Sequence, residues 1–281
     1  MNFLASNWVV DNLIHALETW NSKLNEIWSL ISQSPAEFKD GTIWNAILTI
    51  HDAIKAVALG LLVLFFLFGV VKTCGSFAEL KKPEHAVKLF VRFILAKTAV
   101  TYCLDLLLAL FSVVQGVMHR IMETANYTGA SEAILPQEIV SAIENVGILQ
   151  SVLLWAVTLI GSLVIIVLSF ILSLTVFGRF FKLYIYTAIA PLPMSTFGGS
   201  PTQSIGISFI KSYAGVALEG VVIVLACIIF SLYASAAPSV NPDASATQMI
   251  WTYLGELIFN LLVLTFSVKM SDRIIKEMLA L

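Results

Sequence analysis

From Asn145 to Gly178 the chain runs thirty-four residues without one Asp, Glu, Lys, Arg or His. No other feature limits the fold so strongly. The hydrocarbon core of a bilayer is about 30 Å thick, and a helix needs roughly 20 apolar residues to cross it. Backbone groups inside must be paired within the protein, which leaves helices or closed barrels. Apolar residues here are continuous rather than alternating, so helix is the reading. Hydrophobic residues make up 58 % of the whole chain, against roughly 45–50 % in ordinary globular proteins. Charged residues are 12 % and mean hydropathy is +0.90. Sixteen basic and eighteen acidic side chains cannot coat a soluble domain of 281 residues. The net charge of −2 argues against a general polyanion binder. The expected class is all-α, a polytopic transmembrane helical bundle.

Five apolar runs give about five spans, at 54–72, 87–117, 149–178, 205–233 and 249–270, within a transmembrane domain covering 53–281. Lys55 and Lys72 flank the first, where long side chains reach the headgroups. The second holds Lys97 and Asp105, the fourth Lys211 and Glu219, the fifth Glu256. One apolar segment is too short and too broken for a span. Leu183–Gly199 contains Pro191 and Pro193 and ends in Gly198-Gly199. Proline in a helix interior removes a hydrogen bond and kinks the chain. A re-entrant or interfacial hairpin is expected, sheltered by protein wherever it lies at membrane depth. Ser200-Pro201-Thr202-Gln203 then offers a capping serine, a first-turn proline and a capping-box glutamine for the next helix.

Basic residues cluster. Lys72–Arg92 holds five, Arg179–Lys211 three and the tail after Val268 three, whereas the first 52 residues hold two lysines against six acids. His119–Glu144 holds one arginine against four acids. Lys and Arg favour cytoplasmic loops. Alternating sides around five spans then places the protein in the cell membrane with the N-terminus outside, the C-terminus inside and the proline hairpin on the cytoplasmic side. All six tryptophans (Trp8, Trp20, Trp28, Trp44, Trp155 and Trp251) fall on or near the outer face of that arrangement, where aromatic residues anchor.

The N-terminal stretch lacks the basic start, short apolar core and cleavage site of a signal peptide. Residues 1–52 read instead as extracytoplasmic amphipathic helices. Leu13, Leu17, Trp20, Leu24, Ile27, Trp28 and Ile31 recur at helical spacing. Such a face either packs on lipid or on its own bundle, or docks an extracellular partner through Trp8, Leu13, Leu17, Trp20 and Trp28. Ser34-Pro35-Ala36-Glu37 starts a second helix leading into the first span. Cys74, Cys103 and Cys227 have no metal or redox spacing. Asn126-Tyr127-Thr128 fits a glycosylation acceptor, a pattern short enough to arise by chance.

No catalytic set emerges. His15, His51, His85 and His119 offer no i, i+4 pair for a helical metal site. A phosphate-binding glycine loop and a serine elbow are both lacking. The chain is therefore expected to be no enzyme, with no cofactor and no metal, and to draw any transport energy from a partner or a gradient. The intramembrane charges remain. Lys97 precedes Asp105 by eight residues and Lys211 precedes Glu219 by eight, a faint parallel between two halves. Either the lysines snorkel while Asp105, Glu219 and Glu256 fix helix packing, or the acids line a pore or hydrated groove in an oligomer. The cytoplasmic basic residues follow from orientation before contact with nucleic acid or anionic lipid is invoked. Ala214, Gly215, Ala217 and Gly220 would let another helix approach the fourth span closely.

The stretch FGRFFKLYIYTAIAPLPMSTFGG, followed by SIGISFIKSYAGVALEGVVIVLACIIF, resembles the TrbL-like polytopic membrane proteins of conjugative type IV secretion systems, in the versions from integrative conjugative elements of Firmicutes. The resemblance is strongest over Arg179–Ile229, and topology extends it to the whole chain, with Met118–Gly147 in the place of a central extracytoplasmic loop. It implies no active site. It implies a channel or platform subunit through which a relaxase-bound DNA strand crosses the membrane, a homo-oligomeric ring, and secretion ATPases and other transfer proteins as partners beside membrane lipids. This chain lacks a large cytoplasmic tail, so any role housed there is not implied. Two other classes stay open: a small-solute or ion transporter using Lys97, Asp105, Glu219 and Glu256, and a lipid-binding assembly scaffold.

Overall fold

The computed structural model describes residues 2–73, 83–125, 133–144, 147–233 and 245–281. Cys74 and Asn126-Tyr127-Thr128 lie outside them, as does much of the basic stretch after Lys72. The fold is all-α; no strand occurs among the described residues. In chain order the helices are α1 (Asn2–Ser32), α2 (Thr42–Thr73), α3 (Pro83–Thr101), α4 (Cys103–Thr124), α5 (Gln137–Glu144), α6 (Ile148–Ile189), the short α7 (Pro191–Ser195), α8 (Gln203–Tyr233) and α9 (Ala246–Leu279). Five segments among the described residues are long and apolar enough to cross a membrane: Thr42–Lys72, Cys103–Thr124, Gln150–Ile189, Gln203–Tyr233 and Thr247–Leu279.

Element boundaries differ from the expected ones where local signals were weak. The 87–117 run is two helices meeting at Tyr102. Helical hydrogen bonds nevertheless continue through the junction, from the Tyr102 N–H to the Thr98 carbonyl (2.9 Å) and from the Leu106 N–H to the Tyr102 carbonyl (3.0 Å). After Ser34 the chain makes turns and a 3-10 segment, Phe38–Gly41, before α2 begins at Thr42. Gly41 adopts φ of 70° there, a left-handed conformation that glycine enters without a steric penalty.

The contacts group into two compact units. The first comprises Met1–Ser32, Arg120–Phe177 and Val222–Ser271. Its α1 buries Val9, Leu13, Ala16, Leu17, Trp20, Leu24 and Ile27, the apolar stripe that the 3.6-residue period presents on one face. Asn21 fixes the loop before α5 by a reciprocal pair, donating from Nδ2 to the Ala133 carbonyl (3.0 Å) and accepting the Ala133 N–H on Oδ1 (2.9 Å). Against α6, the Ser162 hydroxyl donates to the Asn12 carbonyl at 2.8 Å. Farther along, Lys23 Nζ sits 6.0 Å from the centroid of the Phe170 ring. These two contacts make α1 and α6 run side by side in the same sense.

The second unit comprises Gln33–His119, Gly178–Val221 and Asp272–Leu281. Phe38 stacks on Phe180 with centroids 4.6 Å apart, and the Tyr184 hydroxyl donates to the Pro35 carbonyl at 2.9 Å. The proline hairpin is smaller than expected. α6 continues to Ile189, so Leu183–Ile189 is regular helix and the break falls at Ala190-Pro191. Pro191 occupies the start of α7, where its missing N–H costs nothing. Hydroxyls satisfy the bent backbone: Ser195 donates to the Leu192 carbonyl (2.6 Å), Thr196 to Pro193 (2.7 Å) and Thr202 to Thr196 (2.8 Å). Pro191, Met194, Ser195, Gly198 and Gly199 are buried, Pro193 partly so. The backbone of α2 covers this segment so closely that a Cβ on Gly199 would meet the Phe65 carbonyl oxygen at 2.6 Å. α8 starts at Gln203, two residues later than the Pro201 that Ser200 would cap, and the Thr202 hydroxyl closes the turn on the Thr196 and Gly199 carbonyls.

Candidate functional site

The most concentrated set of charges in the second unit surrounds a buried arginine. Arg179 is 1 % exposed and stands in α6 directly after the charge-free stretch. Its guanidinium reaches α8 and donates from Nε to the Val216 carbonyl (3.2 Å) and from Nη2 to the Ala217 carbonyl (3.1 Å). Its Cζ lies 5.8 Å from the centroid of the Phe111 ring. Nη1 makes no hydrogen bond among the described residues. Gly220 gives the space: a Cβ there would sit 2.5 Å from Cζ and Nη1. One turn beyond Arg179, Lys182 joins two carboxylates, Glu219 of α8 at 3.5 Å and Asp272 of α9 at 3.0 Å. Lys276 closes the row on Asp272 at 2.7 Å. Signs alternate along Glu219, Lys182, Asp272 and Lys276, and Arg179 acts on Glu219 through space. The arrangement ties three helices at one level. Nothing in it pairs a nucleophile with a base.

The charges named from sequence are mostly dispersed. Glu219 alone enters this row. Lys97 and Asp105 are exposed, one on α3 and the other on α4, so the eight-residue spacing spans a helix junction in one half and a single helix in the other. Lys211 is exposed, with Nζ 3.5 Å from the Leu279 carbonyl. Glu256 is half-buried on α9. In α1, Leu13, Leu17 and Trp20 are buried within the first unit, Trp28 is partly buried, and Trp8 is exposed. The opposite face carries Asp11, His15, Glu18, Ser22, Asn25 and Ser29, all exposed.

Two sets of partners escaped sequence reasoning. Arg179 looked like a flank of the third span, since its acceptors are carbonyls far along the chain. His51 also gained partners at a distance. Its Nδ1 lies 2.8 Å from the Thr187 carbonyl, which makes Nδ1 the protonated nitrogen and leaves Nε2 facing the Cys103 thiol at 3.4 Å. Both side chains are buried, so this pair braces α2, α4 and α6. No group of three or more His, Cys, Asp or Glu placed to hold a metal occurs among the described residues.

No curated protein and no solved structure matches the chain. The family model described as TrbL/VirB6 plasmid conjugal transfer like protein matches residues 20–191, more than half of the sequence and including α2 to α6. A multi-pass helical membrane protein matched so widely belongs to the TrbL/VirB6 plasmid conjugal transfer like family, and is a component of conjugal transfer.

Proposed function

We propose that this chain is a channel or platform subunit of a conjugative type IV secretion system, and that several copies together let a relaxase-bound single strand of DNA cross the cell membrane. The observation that carries the reading is the polar face of α1. Asp11, His15, Glu18, Ser22, Asn25 and Ser29 form a stripe about 27 Å long at 1.5 Å per residue. The helix that carries it lies beside α6 between Ser162 and Phe170, inside the charge-free stretch, touching it through Asn12 and Lys23 and not through the stripe. On α6 at that level Ile160, Leu163, Val167 and Phe170 are exposed. Polar groups at membrane depth require water or protein against them. A ring of copies with α1 inward and the apolar side of α6 toward lipid satisfies both faces. The start of α1 outside and the C-terminus inside follow the distribution of Lys and Arg, but in this reading α1 enters the membrane instead of lying wholly outside it. Coupling ATPases of the same system would supply the energy, as the chain has no nucleotide-binding loop of its own.

Deleting the gene in a donor cell is expected to abolish conjugative transfer, with growth and recipient ability unchanged, and complementation is expected to restore it. Undiminished transfer from the deleted donor would refute the role. A solute transporter using Lys97, Asp105, Glu219 and Glu256 is the weaker reading, because Lys97 and Asp105 are exposed, Glu256 is half-buried and of the four only Glu219 sits in the charge row. Solute flux in liposomes that disappears with Glu219→Gln would favour it instead.

A further inference from the structure

The second unit contains a cavity of about 710 Å³ between α3, the start of α4, the proline hairpin and the first turns of α8. Its size falls within the range of roughly 300–1,000 Å³ typical of ligand pockets. The walls and the mouth differ in kind. Leu95, Ala96, Ala99, Leu106, Met194 and Ile210 line the apolar part, with Ala96 and Met194 buried at its base and Leu95 and Leu106 exposed along an open side. At one end stand Lys88 and Arg92, a turn apart on α3, with Gln203 opposite. Along a single face of α3 the surface therefore changes from cationic to apolar within eleven residues, about 16 Å of helix. Arg92 is held by neutral groups: Nη2 donates to Gln203 Oε1, and Nε donates to the Phe197 carbonyl at 3.5 Å. Neither Arg92 nor Lys88 is paired with a carboxylate among the described residues; Lys55, Lys72, Lys97, Lys211 and Lys269 are also without one, but only Lys88 and Arg92 stand together on this cavity.

We propose that this cavity is a binding site for one anionic phospholipid, with the phosphate on Lys88 and Arg92 and an acyl chain along Leu95, Ala99, Leu106 and Ile210. An amphiphile matches both ends of the site. A soluble anion would leave the apolar walls wet, and a neutral apolar ligand would leave two cations without counter-charge at the mouth. Val87, Phe90, Val91 and Ile94 are exposed on the same helix, which provides a lipid-facing route of entry. The proposal is independent of the transport role: it requires the chain to be in a membrane and nothing about DNA.

The test uses the full-length protein purified in mild detergent from membranes containing phosphatidylglycerol and phosphatidylcholine. Phosphatidylglycerol is expected to co-purify above its bulk ratio and to raise the melting temperature on titration, while phosphatidylcholine does neither. Lys88→Gln, at an exposed position without structural contacts, is expected to weaken the phosphatidylglycerol response roughly fivefold, and Lys88→Gln with Arg92→Gln further still. Ala99→Phe keeps both cations, fills the cavity and is expected to remove the enrichment. Lys269→Gln, at an exposed basic residue on α9 outside the charge row, leaves it unchanged. Co-purified lipid at the bulk ratio, an unaltered response in Lys88→Gln, or displacement of the lipid by millimolar inorganic phosphate would each overturn the proposal. The last outcome would assign a free-phosphate site in its place.

Discussion

Removing an arginine from water is expensive unless its donors are met, and Arg179 meets those on Nε and Nη2 with two carbonyls of α8 instead of a direct ion pair, while Nη1 has no hydrogen bond among the described residues. Those carbonyls belong to helical turns, so the guanidinium adds a second donor to each without dismantling α8. Glycine at 220 is what lets the planar group lie flat on the helix. Gly220→Ala should therefore cost about 1–3 kcal/mol of stability, the range for overpacking a filled site. The displaced atom is the end of a long side chain, but it can move only by giving up two buried hydrogen bonds. Arg179→Met removes that conflict and leaves Glu219 beside Lys182. Melting temperatures in detergent for the two single variants and the double variant form a cycle. The double variant is expected to be no less stable than Arg179→Met alone. Simple additivity would show that Gly220 and Arg179 do not act as one contact.

At the scale of elements, α2 and the proline hairpin are joined by backbone approaching backbone. A Cβ on Gly69 would meet the Gly199 Cα at 2.9 Å, and one on Gly198 would meet the Leu62 carbonyl oxygen at 2.9 Å. Main-chain atoms cannot swing aside. Gly69→Ala and Gly199→Ala should each destabilise by an amount near the top of the roughly 1–3 kcal/mol range and reduce conjugative transfer in step. Gly60→Ala, with open space around its Cβ, should be neutral or stabilise α2 by about 0.5–1 kcal/mol through helix propensity. Equal melting temperatures for all three would mean that the hairpin is not docked on α2. The same region shows which signals are legible in a sequence. Prolines announced the break, yet Leu183–Ile189 read as part of the hairpin when it is the end of α6. A proline restricts its own residue and the one before it, so the helix persists until Ala190. Long apolar runs pointed to five span-like helices but gave close bounds only for the fourth, 205–233 against Gln203–Tyr233; the first begins at Thr42 and the third runs on to Ile189. The junction at Tyr102 stayed hidden because no Gly or Pro marks it and its hydrogen bonds continue. Glu219 was picked out by its charge alone, whereas Arg179, Lys182 and Asp272 were not, since a buried network is defined by helices that meet only after folding.

On the whole molecule, the amphipathic first helix tests the account most directly. Its sequence period distinguished an apolar from a polar face, but not what each face would touch. Leu13, Leu17 and Trp20 turn out to be buried by the chain itself, which leaves the polar stripe as the surface of α1 that needs an environment. If α6 crosses the bilayer where Ser162 and Phe170 touch α1, that environment is water inside an assembly of copies. Single cysteines can decide this in a background carrying Cys74→Ala, Cys103→Ala and Cys227→Ala. Thiols at Glu18, Ser22 and Asn25 should react with a membrane-impermeant maleimide in intact membranes, because maleimides modify the hydrated thiolate. Thiols at Leu163 and Leu174, on the exposed apolar side of α6, should stay unmodified until detergent is added. Cross-linking between copies should likewise be efficient from the stripe and poor from Leu163. Ready modification at Leu163 would place this part of α6 in water and remove the reason for a lumen. A stripe that stays unreactive while Leu163 is also protected would leave α1 sealed against protein, and the chain would be a platform with no aqueous path along this helix.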